Sequence, residues 1–155
     1  MKKTALVALI LCLIVSHACA DDISLWENRY KEPAFTIDYS LKPSAYKHVD
    51  FKKLLRSAEA YYETPLQFTG KVWGFNPSGD NAIFVIFVDS KQNQALMCFC
   101  KDFAHLNWGS GKQVSRFLPD DKVTVYGYVF DVIETDLNEY PFVPLFRAIR
   151  ITLHE

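Results

Sequence analysis

The chain lacks most of the short motifs that mark chemistry in a sequence. It has no glycine-rich loop of the kind that cradles phosphate and no HExxH pair of metal-binding histidines. It contains no internal repeat and no low-complexity tract. Histidine is scarce: beyond residue 20 only His48, His105 and His154 occur, each in a different segment, and no Ser-His-Asp or Cys-His arrangement can be assembled from them. Neither sign of charge dominates, with 17 Lys and Arg against 18 Asp and Glu. That balance disfavours a general nucleic-acid binder, which needs clustered cations to neutralise phosphates. Beyond residue 20 there is also no apolar run of the ~20 residues that a membrane-crossing helix requires.

The first twenty residues read as a targeting segment. Lys2 and Lys3 give a positive start, Ala5 to Val15 form a short apolar run, and Ala18-Cys19-Ala20 offers a small-x-small cleavage signature. We expect cleavage after Ala20 and a periplasmic or secreted mature chain. The alternative is lipid attachment at Cys19, although Ser16 and His17 stand where such signals carry an aliphatic and a small residue. Loss of Lys2 and Lys3 leaves 15 basic against 18 acidic residues, which fits nucleic acid less well still.

Cysteine then reduces to Cys98 and Cys100. In a strand, residues two apart share a face at about 6–7 Å, whereas a disulfide needs Cβ atoms near ~3.8 Å. The expectation is therefore two buried thiols behaving as small hydrophobes. The alternatives are a strained Cys98–Cys100 disulfide in an oxidising compartment, or a metal held by Cys98, Cys100 and His105. The C-x-C-x4-H spacing is not a regular zinc pattern, and no cofactor is expected.

Glycine is sparse, 6 residues in all, and this makes two of them informative. Gly70 lies within LQFTGKVWGF and Gly127 within KVTVYGYVFD, both alternating strand patterns. Glycine weakens a strand unless the sheet must bulge, coil or admit a second backbone closely. Two such strands imply a tightly coiled, partly closed barrel. The first strand carries Phe68, Gly70 and Val72 on one side and Gln67, Thr69, Lys71 and Trp73 on the other. Ala82 to Val88 is apolar throughout, as in a strand covered on both faces, and pairs as a hairpin with Ala95 to Lys101. His105 to Phe117 is expected to hold a short helix. In the fourth strand Val123, Val125, Gly127 and Val129 share one face, with Lys122, Thr124, Tyr126 and Tyr128 opposite. Pro144 to Leu153 is the fifth.

Ahead of the barrel, Asp50 is positioned to cap a helix, with Val49 stapled to Leu54, and Phe51, Leu54, Leu55, Ala58 and Tyr61 or Tyr62 on one face. Pro65 ends it. Residues 21–47 form an aromatic-rich arm with a short strand over Phe35 to Tyr39, so the organisation is signal (1–20), arm (21–47) and helix plus barrel (48–155). Asp131, Glu134, Asp136 and Glu139 make an acidic loop that lacks the regularity of a calcium site.

Five strands with a helical connection between the third and fourth is the OB-fold order. VDFKKLLRSAEAYYETPLQFTGKVWGF resembles the opening of a family of exported bacterial OB-fold domains, in which a helix leads through Tyr-x-Gly-x-x-Val into Phe-Thr-Gly-Lys-Val. LPDDKVTVYGYV resembles that family's fourth strand, and Val143-Pro144 followed by Ala148 its last. Glu63 replaces the usual glycine after Tyr61-Tyr62. The resemblance covers Val49 to His154 and implies a mainly β, five-stranded Greek-key barrel; its motifs imply core positions and no catalytic residues.

The expected function is a non-enzymatic binding or interaction module for an oligosaccharide, peptide, small molecule or protein. The alternatives are a small metal-dependent hydrolase or nuclease, and a single-stranded nucleic-acid binder. The candidate ligand-binding residues are Lys71, Trp73, Phe99, Lys101, Tyr126 and Tyr128, since aromatics beside cations suit stacking on sugars or bases. The competing reading packs Trp73 and Phe99 beneath the arm or helix.

Overall fold

A computed structural model of the chain describes residues 35–89, 94–103, 106–108, 114–135, 138 and 140–154. After the arm comes one short helix, α1 (Phe51–Arg56), then β1 (Leu66–Ser78), β2 (Asn81–Phe87), β3 (Ala95–Cys100), β4 (Asn107–Trp108), β5 (Lys122–Glu134) and β6 (Phe142–His154). β1 pairs antiparallel with both β2 and β5, β2 with β3, and β5 with β6. A parallel pairing of β3 with β6, at Met97↔Leu145, Cys98↔Phe146 and Phe99↔Arg147, closes these five strands into a barrel. Closure removes the unpaired strand edges that an open sheet would present. The two-residue β4 is a parallel attachment to β6 at Arg150 and Ile151.

The alternation read from the sequence sets the barrel's inside. Phe68, Val72, Phe84, Ile86, Leu96, Cys98, Val123, Val125, Val129, Phe146 and Ile151 form one buried core, and Phe51 and Leu54 of α1 join it. Edge-to-face ring contacts run through it, among them Phe68 against Phe146 at 5.5 Å and Phe84 against Phe117 at 5.2 Å. The interior is thus filled by side chains.

Both strand glycines stand where a second backbone crosses. A Cβ on Gly70 would collide with the Phe87 carbonyl of β2, and one on Gly127 with the Arg147 carbonyl of β6. At Gly127 the register with β6 also shifts, as at a bulge. In β1 the shift falls a little later, between Val72 and Gly74, so Trp73 is the residue left out of the ladder.

Three local expectations differ from the structure. Asp50 does cap α1, accepting the Lys53 N–H at 3.0 Å, but the helix breaks at Ser57 and continues as a 3-10 turn over Ala58–Tyr61. The break lets Tyr61 and Tyr62 pack on the core while keeping a six-residue helix against the barrel. Phe35 to Tyr39 is not a strand; the described part of the arm instead carries a 3-10 turn, Pro43–Ala45, and one parallel bridge from Lys47 to Leu66. In the segment expected to hold a helix between the third and fourth barrel strands, Asn107–Trp108 run as β4 and 114–118 are irregular, while 104–105 and 109–113 lie outside the described residues.

Cys98 and Cys100 are free thiols facing the core. Burial raises both: Cys98 goes well above its ordinary value, and Cys100 is pushed up to about 12, with Arg147 opposing the shift. Two outcomes follow. The native thiols resist a disulfide reagent at pH 8 and react on unfolding. Because folding holds them protonated, their contribution is fully present below the ordinary thiol value of 9.0 and is lost as pH rises toward about 12, so urea stability falls across that window. Gly127→Ala, overpacking two backbones, lowers stability by at least ~1–3 kcal/mol in urea titration; an unchanged midpoint would refute the close-approach account.

Candidate binding surface

With the interior filled, the side chains able to meet a ligand are on the barrel's outer surface. The six candidates from the sequence separate there into three places. Tyr126 and Tyr128 lie on the outer face of β5 but are buried. Tyr46 meets Tyr126 edge-on at 5.3 Å and Phe35 meets Tyr128 at 4.9 Å, while Ile37, Leu41 and Ile149 complete a small apolar cluster. These tyrosines therefore anchor the arm and do not offer open stacking faces. The arm is fixed further by Gln67, whose side-chain amide donates to the Tyr46 carbonyl at 2.6 Å. Burial first, and then Tyr128, pushes the Tyr46 hydroxyl up to about 12.

Lys71 and Trp73 occupy the outer side of β1. Lys71 is exposed and 3.8 Å from an equally exposed Asp120, a pairing that solvent largely screens. Trp73 is half-buried at the bulge. Beside them, Thr69 and Thr124 share a hydrogen bond of 2.6 Å, and Thr124 is 2.8 Å from His154 Nε2, a polar chain crossing β1, β5 and β6.

Phe99 lies on β3, which ends at Cys100, so Lys101, expected within the strand, follows directly after it. The register sets Phe99 opposite Arg147 of β6. The Arg147 guanidinium sits 5.1 Å above the Phe99 ring, and both residues are buried, with Arg147 only 4% exposed. A cation held over an aromatic face in low dielectric interacts more strongly than an exposed one. Lys101 is exposed, and its amine is drawn below the ordinary value by burial and by Arg147. Phe99 is thus buried with its ring face against a cation. Arg147 was not picked out from the sequence; a charge in the otherwise apolar PLFRAI was the available signal.

The same end of the barrel carries a cleft of about 410 Å³ lined by Pro77, Gly79, Asp80, Asn81, Phe103 and Ser115. Its walls are tied together by the Phe103 N–H donating to the Asp80 carbonyl at 2.6 Å and the Asp102 N–H to Asn81 Oδ1 at 3.1 Å. Gly79 turns with φ 57°, and Asp102 adopts φ 51°, a left-handed conformation that aspartate enters more readily than most non-glycine residues.

Of the metal alternative, Cys98 and Cys100 face inward and His105 lies outside the described residues. Among the described residues no group of three or more His, Cys, Asp or Glu is placed to hold a metal. Of the four carboxylates expected in an acidic loop, Asp131 and Glu134 lie instead on β5, which runs on to Glu134 in its pairing with β6. Asp131 accepts the Val132 N–H at 2.8 Å and Glu134 is exposed, whereas Asp136 and Glu139 fall outside the described residues.

Comparison with solved structures agrees with the barrel. The chain is similar to an aspartyl-tRNA synthetase from Entamoeba histolytica at a TM-score of 0.51 and 9% identity, covering 77% of this chain and 24% of that one. It also matches a putative aspartyl-tRNA synthetase from Leishmania major Friedlin at 0.46 and 15% identity, covering 86% and 26%. A third match is the OBody AM3L09 bound to hen egg-white lysozyme, at 0.39 and 13% identity, covering 78% and 95%. This chain therefore spans about a quarter of either synthetase's length. No family model and no curated protein matches it. The fold is an OB-fold: mainly β, a closed five-stranded barrel, as the strand order in the sequence implied.

Tyr126→Ala is expected to lower stability by ~3–5 kcal/mol, as for a buried aromatic, whereas Lys101→Ala stays within ~0.5 kcal/mol in chemical denaturation. Equal effects would place the tyrosine outside the arm cluster.

Proposed function

We propose that this chain is an exported, non-enzymatic OB-fold module that binds a ligand or partner on the outer surface of β3 and β6, next to the β1–β2 turn. The observation that carries the reading is Lys101: an exposed cation just past the end of β3, next to the buried Arg147–Phe99 pair, with Arg147 helping to draw its amine down. OB-folds in general use the face of their second and third strands with the adjoining loops for oligonucleotides and oligosaccharides. Phe99 belongs to the third strand, Lys101 follows its last residue directly, and the cleft around Asn81 and Phe103 adjoins the first loop. The acidic balance of the chain after residue 20 favours a glycan, peptide or protein over nucleic acid. Export rests on Lys2, Lys3, the apolar run to Val15 and the Ala18-Cys19-Ala20 site.

Two measurements test this. Expression of the full chain in a bacterium should deliver a protein whose N-terminal sequence starts at Asp21 to the periplasmic fraction; an intact Met1 in the cytoplasm would overturn export. Glycan and peptide arrays probed with that protein should return ligands whose binding Lys101→Ala weakens about fivefold or more, the loss of one charge-assisted contact. Salt-sensitive retention on single-stranded DNA, with no array ligand, would replace the reading by nucleic-acid binding. Metal retained in stoichiometric amount through dialysis would reopen the hydrolase alternative.

A further inference from the structure

A second site is written into the first half of β1. Backbone groups of a strand alternate between its two edges. The Val72 N–H donates to Asp121 at 2.8 Å on the β5 side, whereas the Gln67 N–H donates to the Lys47 carbonyl at 3.0 Å on the opposite side. Thr69 has the parity of Gln67, so its N–H and C=O turn to that second edge. Pairing with the arm ends at the Lys47–Leu66 bridge, and pairing with β2 starts only at Lys71↔Phe87. Thr69 thus falls in a gap between two stretches of ladder.

That gap is a cleft of about 320 Å³, within the size range of small-molecule sites. His48, Asp50, Gln67, Thr69 and Gln94 supply its polar groups, and Phe51 belongs to its apolar wall. Among the described residues that line it none is Lys or Arg. Several of these groups are already committed in one direction. One Asp50 oxygen accepts the Lys53 N–H, and one of the two Gln67 amide N–H groups is held by the Tyr46 carbonyl, which leaves the other N–H and the carbonyl oxygen of Gln67 to offer. The Thr69 hydroxyl is oriented by the Thr124–His154 chain. The lining is therefore rich in fixed donors and acceptors and poor in cations. A hydroxyl group, which both donates and accepts, suits such a lining better than an anion does. The Thr69 backbone adds one donor and one acceptor side by side, the complement of a secondary amide.

We propose that this gap in the β1 edge binds an uncharged sugar bearing an acetamido group. The amide of the sugar pairs with the Thr69 backbone, and its hydroxyls meet Gln67, Gln94 and the Thr69 side chain. The site is at the Gln94 end of β3, away from Lys101, and stands independently of the β3–β6 surface.

The test is titration of the isotope-labelled chain with N-acetylglucosamine, glucose and N-acetylglucosamine 6-phosphate, followed by amide signals. N-acetylglucosamine should move the signals of Thr69, Gly70 and Gln94, and glucose should bind at least about fivefold more weakly for want of the amide pair. Gln94→Ala should weaken N-acetylglucosamine about fivefold with an unchanged melting temperature, while Lys101→Ala should leave its affinity unaltered. Absence of shifts at about 50 mM sugar, where a millimolar site is filled, overturns the proposal. Equal binding of glucose, tighter binding of the phosphorylated sugar, or an unaffected Gln94→Ala variant overturns it as well. A loss on Lys101→Ala would transfer the sugar to the β3–β6 surface.

Discussion

Everything in this barrel depends on two crossings where one strand's backbone lies against another with no side chain between. At Gly70 the partner is Phe87 of β2, and at Gly127 it is Arg147 of β6. Without the first, β2 could not coil away from β1; without the second, β6 could not follow β5 and still reach β3. The parallel contact of β3 with β6 that closes the barrel is short, spanning Met97 to Phe99 and Leu145 to Arg147. So small a seam tolerates little displacement, and a single methyl at either crossing would have to be absorbed by it. The closed sheet and the filled interior both follow from that geometry.

The seam also joins two kinds of packing. Cys98 and Phe146 meet inside it, where their side chains belong to the core, while Phe99 and Arg147, one residue on, face outward as a stacked pair. The period of two along β3 and β6 thus gives the same short contact two sides: apolar closure inward and a buried cation–aromatic pair outward. Burial of the two thiols on the inner side explains why they behave as hydrophobes, their ionisation suppressed by desolvation.

Much of the barrel was legible because alternation and glycine are local signals. Phe68, Val72, Val123, Val125 and Val129 could be placed inside from spacing alone, and Asp50 announced the helix start by its side-chain chemistry. What could not be read were matters of coverage. Tyr126 and Tyr128 have the pattern of outward aromatics, and they are outward; only the arm, docked through Tyr46 and Phe35, makes them a core. Such tertiary cover leaves no periodic trace. Ser57 interrupts a helical pattern that continues in the sequence through Tyr61, because packing on the barrel overrides a weak intrinsic preference. The charge of Arg147 stood out in an apolar run, but its place over Phe99 and the gap at Thr69 could not be read for a related reason, since each takes its meaning from a segment distant in sequence.

Closure is the central claim, and backbone hydrogen exchange measures it directly. With β3 joined to β6, the β3 and β6 amides that form the seam's ladder, within Met97–Phe99 and Leu145–Arg147, should exchange only by global unfolding, at the slow rate of the β1–β5 ladder amides. Fast exchange along the seam, with β1 and β5 still protected, would mean an open sheet and would contradict the account.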